Sequence, residues 1–266
     1  MMDWTKWLAL PPLASAHGKD VDRMMLFIHL MMVVLFVGWF IYFVYVLWRF
    51  NQKRQPKADS TGARSHFSSY VEGTVAAVEI ALLLGFAIPM WVKLNETRNL
   101  PKPEESTLVR ITGEQFQWYF TYPGNDGKYG RQNIALVSAS NPLGYDPDDE
   151  NGKDDFTVVK EMHVPVGKPV LLRVTSKDVI HSFKVAALRF TLDAVPGVAN
   201  TSTFTPTRPG RYMITCAQLC GVGHARMAGI LYVDTPEQYA KWLAEKQAEK
   251  NKPTTPAPAP SPAPAT

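Results

Sequence analysis

Two long apolar runs near the N-terminus dominate the hydrophobic pattern of the chain. The first extends from Met24 to Trp48 and carries no formal charge. As an α-helix it is about 37 Å long, enough to cross a hydrocarbon core of roughly 30 Å. The second extends from Tyr70 to Leu94, with Glu72 and Glu79 in its first half and no charge from Ile80 to Val92. The pattern predicts two transmembrane helices.

The segment between the two runs is short and basic. It holds one acid, Asp59, and five basic side chains: Arg49, Lys53, Arg54, Lys57 and Arg64. The positive-inside rule therefore predicts a cytoplasmic loop, with both termini on the other side of the plasma (inner) membrane, the periplasm in a bacterium. Residues 23–95 form the predicted membrane hairpin, and residues 1–22 precede it outside the cytoplasm. Within them Ala14-Ser15-Ala16 resembles a signal-peptide cleavage site, and the pattern leaves open whether it is cut.

From about residue 105 to residue 234 the pattern changes to short runs rich in β-branched and aromatic residues, separated by Pro-Gly and Asn-Gly turn signals. Such runs are typical of an all-β Greek-key sandwich or barrel. Three residues give the usual signals of a helix start after the last run: Thr235, Pro236 and Gln238. We expect one β-domain with its C-terminal helix over residues 96–248, and a disordered tail rich in proline and alanine over residues 249–266.

Composition and charge exclude several classes of protein. Hydrophobic residues make up 46% of the chain and charged residues 20%, which excludes a wholly disordered protein. The net charge is only +4, and the basic residues are scattered, so no nucleic-acid partner is expected. Two cysteines are too few for a multi-disulfide scaffold, a four-cysteine zinc site or a four-thiolate iron–sulfur cluster.

The candidate chemistry is concentrated in CAQLCGVGHARM, from Cys216 to Met227, which lies between two predicted strands. Two thiols, an imidazole and a thioether are soft ligands, and they suit copper better than a hard cation. A second thiolate four residues after the first allows both sulfurs to bridge two metal ions, each with one histidine. His224 is one such histidine. A disulfide is the alternative in an oxidising compartment, but it explains neither His224 nor Met227.

The second histidine must come from elsewhere in the β-domain. His163 lies in EMHVPVGKP, where the alternating pattern favours an ordinary strand residue. His181 lies in SKDVIHSFKV, a polar turn that leads into a strand 35 residues before Cys216. A loop at that separation returns to the same end of a sandwich, so His181 is the better candidate.

Four features of the chain resemble subunit II of haem-copper cytochrome c oxidase. They are the CxxxCxxxHxxM motif, the HSF at residues 181–183, the DAVPGVAN at residues 193–200 and the N-terminal hairpin. The resemblance covers roughly residues 22–245. It implies a cupredoxin fold with a dinuclear CuA centre that transfers single electrons. Its ligands would be bridging Cys216 and Cys220, His181 and His224 on one copper each, and, as weak ligands, Met227 and the backbone carbonyl of Gln218.

The same resemblance implies partners and a reaction. Because the protein ligands fill the copper site, oxygen reduction would take place on a haem-bearing subunit I, beside other oxidase subunits in the lipid membrane. No CxxCH motif follows the domain, so the electron donor would be a separate cytochrome c. Glu72 stands by position where the family has a glutamate at the mouth of a proton path, whereas Glu79 has no clear counterpart.

Two departures from the family pattern concern the site. Gln218 stands where the family usually has a glutamate that helps to hold magnesium, so a magnesium site is uncertain. Phe116 replaces the tryptophan through which electrons arrive, although Trp118 keeps the patch aromatic. The acidic run at residues 146–155 holds six acids against Lys153, and a solvated loop is a more common meaning of such a run than a docking site for cytochrome c.

Three other classes of protein are the alternatives. A quinol-oxidase subunit II shares the hairpin and the β-domain but lacks the copper ligands. A membrane-anchored copper chaperone uses a cysteine pair and a histidine, but does not require His224 and Met227 at these spacings. A nitrous-oxide reductase has a similar copper loop in a larger soluble enzyme without the hairpin.

Overall fold

The computed structural model describes residues 9–57, 61, 65–95 and 100–250. Three parts of the sequence predictions lie outside the described residues. They are the first part of the predicted extracytoplasmic segment, Asp59 and Arg64 of the basic loop, and the predicted disordered tail from residue 251 onward. The domain boundaries expected from the sequence stay predictions.

Two apolar helical stretches precede the β-domain. Helix α1 spans Gly18–Arg49; helix α2 spans Phe67–Leu82 and continues through a π-helical turn, Leu83–Ala87, into helix α3, Ile88–Asn95. Both stretches are long and apolar enough to cross a membrane. The wide turn lies just before Pro89, whose missing N–H and bulky ring disrupt the α-helical hydrogen-bond ladder there.

The two stretches lie side by side as the predicted hairpin. The rings of Phe27 on α1 and Phe86 in the π-helical turn make an edge contact, with 5.3 Å between centroids. Near the same end, Lys93 forms an exposed ion pair with Asp20 at 3.2 Å. The sequence prediction of a two-helix hairpin is therefore confirmed.

The β-domain is a sandwich of two five-stranded sheets. The first sheet has the order β3-β2-β1-β5-β8 and consists of β1 Thr107–Glu114, β2 Gln117–Tyr122, β3 Phe156–Val159, β5 Val170–Ser176 and β8 Asn200–Phe204. The second has the order β4-β10-β9-β6-β7 and consists of β4 Glu161–Pro165, β6 His181–Val185, β7 Phe190–Ala194, β9 Gly210–Cys216 and β10 Ala228–Asp234. The crossovers between the sheets confirm the predicted Greek-key arrangement.

Two of the apolar runs that read as single strands are each divided in two. TVVKEMHV becomes β3 in one sheet and β4 in the other, because Lys160 adopts a left-handed conformation with φ of 63°. FKVAALRFTL becomes β6 and β7, with the turn completed by Arg189 at φ of 53°. A left-handed residue turns the chain sharply, which the hydrophobic pattern alone does not reveal.

The C-terminal helix, α4, spans Pro236–Lys250 and begins as the sequence predicts. The Gln238 N–H donates to Thr235 Oγ1, while the Thr235 N–H donates to Gln238 Oε1, which is a complete capping box. Trp242 of this helix stacks on His163, whose Nδ1 lies 2.7 Å from a carboxylate oxygen of Asp234. His163 therefore has a structural partner, in agreement with its interpretation as an ordinary strand residue.

The segment before α1 is packed into the β-domain. Ala14 and Ser15 are buried, and the Ala14 N–H donates to the carbonyl of Ala187. The Ser15 hydroxyl donates to the carbonyl of Leu188 at 2.6 Å, and the Thr207 N–H donates to the carbonyl of Ala14. The tripeptide that resembles a cleavage site is thus part of the hydrogen-bonded β-domain in this structure.

A buried ion pair fixes the start of α1 to the same region. Arg189 Nε donates to Asp22 Oδ1 at 2.7 Å and Arg189 Nη2 to Asp22 Oδ2 at 3.3 Å. The two side chains are only 6% and 9% exposed. Arg189 Nη2 also donates to the carbonyl of Pro11, so one guanidinium joins the membrane helix, the N-terminal segment and the β-domain.

Removing one partner of this pair should destabilise the protein strongly. We expect Asp22→Asn to lower the free energy of unfolding by about 3 kcal/mol or more, because it leaves a buried guanidinium unpaired. The measurement is urea denaturation of the full chain in detergent micelles, followed by near-UV circular dichroism. Asp20→Asn is the control, since its ion pair with Lys93 is exposed and contributes at most about 1 kcal/mol. Equal losses for the two variants would contradict the assignment.

Candidate metal centre

The groups predicted to bind metal meet at one end of the sandwich. His181 begins β6, Cys216 ends β9, and the chain between Cys216 and Met227 forms a loop that returns to β10. The Ala217 N–H donates to the carbonyl of Ser182 at 2.9 Å, and the Cys216 N–H donates to the carbonyl of Met227 at 3.2 Å. Both ends of the loop are thereby held to regular strands.

The sulfur atoms lie together inside this loop. Cys216 Sγ is 3.8 Å from Cys220 Sγ, which is 3.8 Å from Met227 Sδ. All three side chains are buried, and both cysteines are free thiols. Cys216 Sγ also lies 3.1 Å from the carbonyl oxygen of Gln218. The structure therefore has no Cys216–Cys220 disulfide and brings the predicted sulfur and carbonyl ligands together.

Both predicted histidines border the sulfur cluster. His181 is fully buried, and its ligand atom and the two cysteine sulfurs lie within 4.8 Å of one another. His181 Nε2 is 2.9 Å from Asp178 Oδ1, whereas His181 Nδ1 is buried and has no partner in the part of the chain that the structure describes. If Nε2 carries the proton, Nδ1 offers a free lone pair. His224 Nδ1 lies 3.6 Å from Cys220 Sγ and completes the set.

Asp178 is a site residue that the sequence analysis missed. Burial by itself would raise its pKa, but hydrogen bonds from the Gln115 N–H, His181 and the Val179 N–H outweigh burial and hold the pKa below its ordinary value. Asp178 therefore stays ionised and orients the His181 ring, as carboxylates behind metal-binding histidines generally do. Its position three residues before His181 was the available signal.

The close packing behind His181 depends on a glycine. A Cβ atom at Gly113 would lie 2.9 Å from His181 Cδ2 and 3.2 Å from the Trp118 ring. Trp118 makes an edge contact with His181, with 5.9 Å between ring centroids, and has no exposed surface. Phe116 is half-buried and lies against Gly221 and Gly223 of the cysteine loop. Of the two aromatic residues predicted to receive electrons, only Phe116 reaches the surface of this chain.

The donor atoms of this cluster favour a soft metal, whereas the raised pKa of a thiol makes a proton compete with the metal. Burial, together with the neighbouring Cys216 thiol, raises the pKa of Cys220 to about 11. The thiol is therefore protonated at neutral pH until a metal ion displaces the proton. Sulfur and imidazole donors in a dry pocket suit copper, and the one carboxylate at this cluster, Asp178, faces the Nε2 side of His181.

The other predicted functional residues lie outside this cluster. Glu72 is exposed on α2 and borders a mostly apolar cavity of about 460 Å³, which Trp39 and Tyr42 of α1 also line. Glu79 is exposed on the same helix. The side chain of Gln218 is exposed at the loop surface, and the magnesium site stays uncertain.

The acidic run at residues 146–155 is less exposed than a solvated loop. Asp149 and Asp155 are buried, and their carboxylates accept hydrogen bonds from the N–H groups of Arg131 and Gly130. Asp146 forms an ion pair with Arg131 at 2.9 Å. At least half of the run's six acids thus fix the loop itself, which weakens the case for a docking surface.

Comparisons with known proteins identify relatives of this chain. Residues 108–233 match the family model described as "Cytochrome C oxidase subunit II, periplasmic domain". The alternative cytochrome c oxidase subunit 2 of Bradyrhizobium diazoefficiens is 31% identical over 214 residues, 80% of this chain and 75% of that protein. Cytochrome c oxidase subunit 2 of Cereibacter sphaeroides is 30% identical over 231 residues, 80% of this chain and 73% of that protein.

Among solved structures, the periplasmic domain of subunit II of cytochrome oxidase from Bradyrhizobium japonicum is 29% identical, with a TM-score of 0.41, and the match covers 56% of this chain and 97% of that one. Each of these two sequence relatives matches 80% of the chain, which is more than the β-domain alone. With its helix hairpin and its cupredoxin-like β-domain, the chain belongs to the cytochrome c oxidase subunit II family.

Proposed function

We propose that this chain is the electron-accepting subunit of a respiratory haem-copper oxidase and that it holds two copper ions as a CuA centre. The observation that carries the proposal is the cluster of two thiols 3.8 Å apart beside a buried His181 whose Nδ1 has no partner among the described residues. Buried polar atoms without a partner are rare in native proteins, and a metal ligand is one explanation.

Six groups of this chain would hold the copper. Cys216, Cys220, His181 and His224 would be the main ligands, and Met227 and the Gln218 carbonyl would be weak ones. Bound copper supplies one-electron redox chemistry. The chain supplies a rigid, dry frame, because buried side chains such as Trp118 and Phe183 exclude water behind the ligands.

Cytochrome c and subunit I are the proposed partners, beside other oxidase subunits. Cytochrome c would deliver its electron where Phe116 reaches the surface over the cysteine loop. Leu219 and Val222 of the same loop are 78% and 99% exposed, and such apolar exposure suits a surface covered by another subunit. The electron would pass to haem in subunit I, where oxygen is reduced to water and protons are translocated.

The orientation follows from the charges and the helices. The basic loop between α1 and α2 would lie in the cytoplasm, and both termini and the β-domain on the periplasmic side of the plasma (inner) membrane. The N-terminal segment and the β-domain are joined through Arg189 and Asp22, which supports their placement on one side.

Copper reconstitution of the full chain in detergent tests the metal assignment. We expect two copper ions per chain and an electron paramagnetic resonance signal in which one electron couples equally to two copper nuclei. Cys220→Ser should abolish this coupling, since one bridging thiolate is lost. Gln218→Ala is the matched control and should retain the signal, because its side chain is exposed and only its carbonyl is a ligand. A single-copper signal in the unaltered chain would favour a copper chaperone, and no copper binding would favour a quinol-oxidase-like subunit.

Asp178 should act as a positioning residue for His181. We expect Asp178→Asn to lower copper affinity about 10- to 100-fold, because the ring loses the charged acceptor that fixes its Nε2 proton. A chelator competition titration measures the affinity, and the copper spectrum reports whether the ligand set is unchanged. Asp148→Asn, an exposed acid outside the site, is the control. An affinity equal to that of the control would count against the role.

Glu72 should affect proton uptake and not the metal. We expect Glu72→Gln in the assembled oxidase to slow oxygen-consuming turnover severalfold, because an amide does not exchange protons, while the copper spectrum stays unchanged. Glu79→Gln, seven residues further along the same face of the helix, is the comparison. Unaltered turnover in Glu72→Gln would contradict the proton-path assignment.

A further inference from the structure

The outer face of the first sheet carries a cavity that the copper site does not use. It has a volume of about 580 Å³ and lies over β1 and β5, beneath the loop between β2 and β3. The metal centre contacts the opposite, core-facing side of β1, where Gly113 meets His181. Five polar residues of the two strands line the cavity: Arg110, Thr112, Arg173, Thr175 and Ser176.

Two arginines stand directly opposite each other on this face. Arg110 of β1 is the register partner of Arg173 of β5. Like charges opposed across a sheet are destabilising unless a negative group lies between them. Arg110 is only 6% exposed; it donates to the Gly130 carbonyl and lies over the Tyr129 ring, and neither contact neutralises its charge. Burial lowers the pKa of Arg110; the Arg173 charge acts in the same direction, whereas Tyr145, Tyr129 and the Asp155 charge act in the opposite one.

One carboxylate among the described residues, Asp155, partly offsets the positive charge of this pair. No carboxylate in residues 9–57, 61, 65–95 and 100–250 forms an ion pair with Arg110 or Arg173. Asp155 acts on Arg110 without such a pair and accepts the Gly130 N–H; burial raises its pKa to about 6, so it is mostly ionised at neutral pH and leaves the two arginines with one uncompensated positive charge. The other cations at the cavity are already paired: Lys177 with Glu114, and Arg131 with Asp146 and Asp149.

Three further donors around the cavity are buried and without partners in the described part of the chain. They are the Thr112 hydroxyl, the Tyr129 hydroxyl and the Gln132 side-chain amide nitrogen. Each unsatisfied buried donor costs free energy, and the nearby Asp155 Oδ1, which is also buried and without a partner in the described residues, bonds to none of the three, so a bound acceptor would satisfy them. Thr112 is 4% exposed and belongs to a regular strand, so its orientation is fixed.

We propose that this cavity binds the phosphate group of a small organic molecule. Arginine guanidinium groups match phosphate oxygens in geometry and charge, and the three neutral donors supply further hydrogen bonds. The three terminal oxygens of a phosphate accept more of these bonds than the two of a carboxylate. The volume lies in the range of small-molecule pockets, roughly 300–1,000 Å³, and exceeds that of phosphate alone. Apolar walls suit the organic part: Ile134, Val137, Leu143 and Val198.

Calorimetric titration of the full chain in detergent tests the proposal. The probes are AMP, inorganic phosphate and adenosine, at constant chloride concentration. Saturable binding of AMP, weaker binding of phosphate and no binding of adenosine support the proposal. Nanodiscs with and without phosphatidic acid distinguish a lipid headgroup from a soluble molecule as the source of the phosphate. A lipid headgroup would compete with AMP only in the nanodiscs that contain phosphatidic acid. The absence of saturable binding of AMP and phosphate up to about 10 mM would overturn it.

Two variants locate the binding to the cavity. We expect Arg173→Gln to weaken AMP binding about tenfold or more, because one charge-assisted contact is lost. Arg208→Gln removes the same charge at an exposed position outside the cavity lining and should bind as the unaltered chain does. Copper content verifies that both variants are folded, since neither residue belongs to the metal cluster. Equal weakening by both variants would show a general charge effect and would also overturn the proposal.

Discussion

The grouping of the proposed metal ligands depends on a short antiparallel pairing between β6 and β9. Phe183 stands opposite Cys216, so His181, two residues earlier on β6, lies at the same end of the sheet as the cysteine loop. Phe183 and Ile214 are fully buried on the two strands and hold the register. A slip of one residue would turn every side chain to the other face and separate the imidazole from the sulfurs. Groups 35 residues apart in the chain thus meet because two hydrophobic strands have one register that buries their core side chains.

Charged groups in the protein are compensated to three different degrees. Asp178 is compensated by several donors, one of them the ring it orients. Asp22 and Arg189 compensate each other across the junction between a membrane helix and the β-domain. Arg110 has no ion-pair partner among the described residues: a second arginine stands opposite it, and the Asp155 charge offsets the two only in part. The first two arrangements are complete in the isolated chain, whereas the third leaves one positive charge to which the proposed anion would bind.

Much of the fold and the donor set was predictable from the sequence, because hydrophobic length, strand alternation and donor spacing are local properties. The helix hairpin, the β-domain and the capping box at Thr235 were obtained in this way. The exceptions depend on three-dimensional neighbours. Lys160 and Arg189 turn the chain through left-handed conformations, which their residue types do not predict. The burial of Trp118 depends on its packing with His181 and Phe183. Asp178 was visible as an acid, but its contact with the ring exists only once the turn before β6 has formed.

The docking of the N-terminal segment has a consequence for the order of assembly. Ser15 bonds to Leu188, 173 residues later in the chain, and Ala14 accepts a hydrogen bond from Thr207. During synthesis Leu188 and Thr207 emerge long after α1 and α2, so the segment can dock only after most of the β-sandwich has been made. Closing so long a loop adds little entropy cost beyond that of a shorter one, because the cost grows only with the logarithm of length. Ala14 and Ser15 therefore dock only after residues that follow them far along the chain, and their docking marks a nearly finished β-domain.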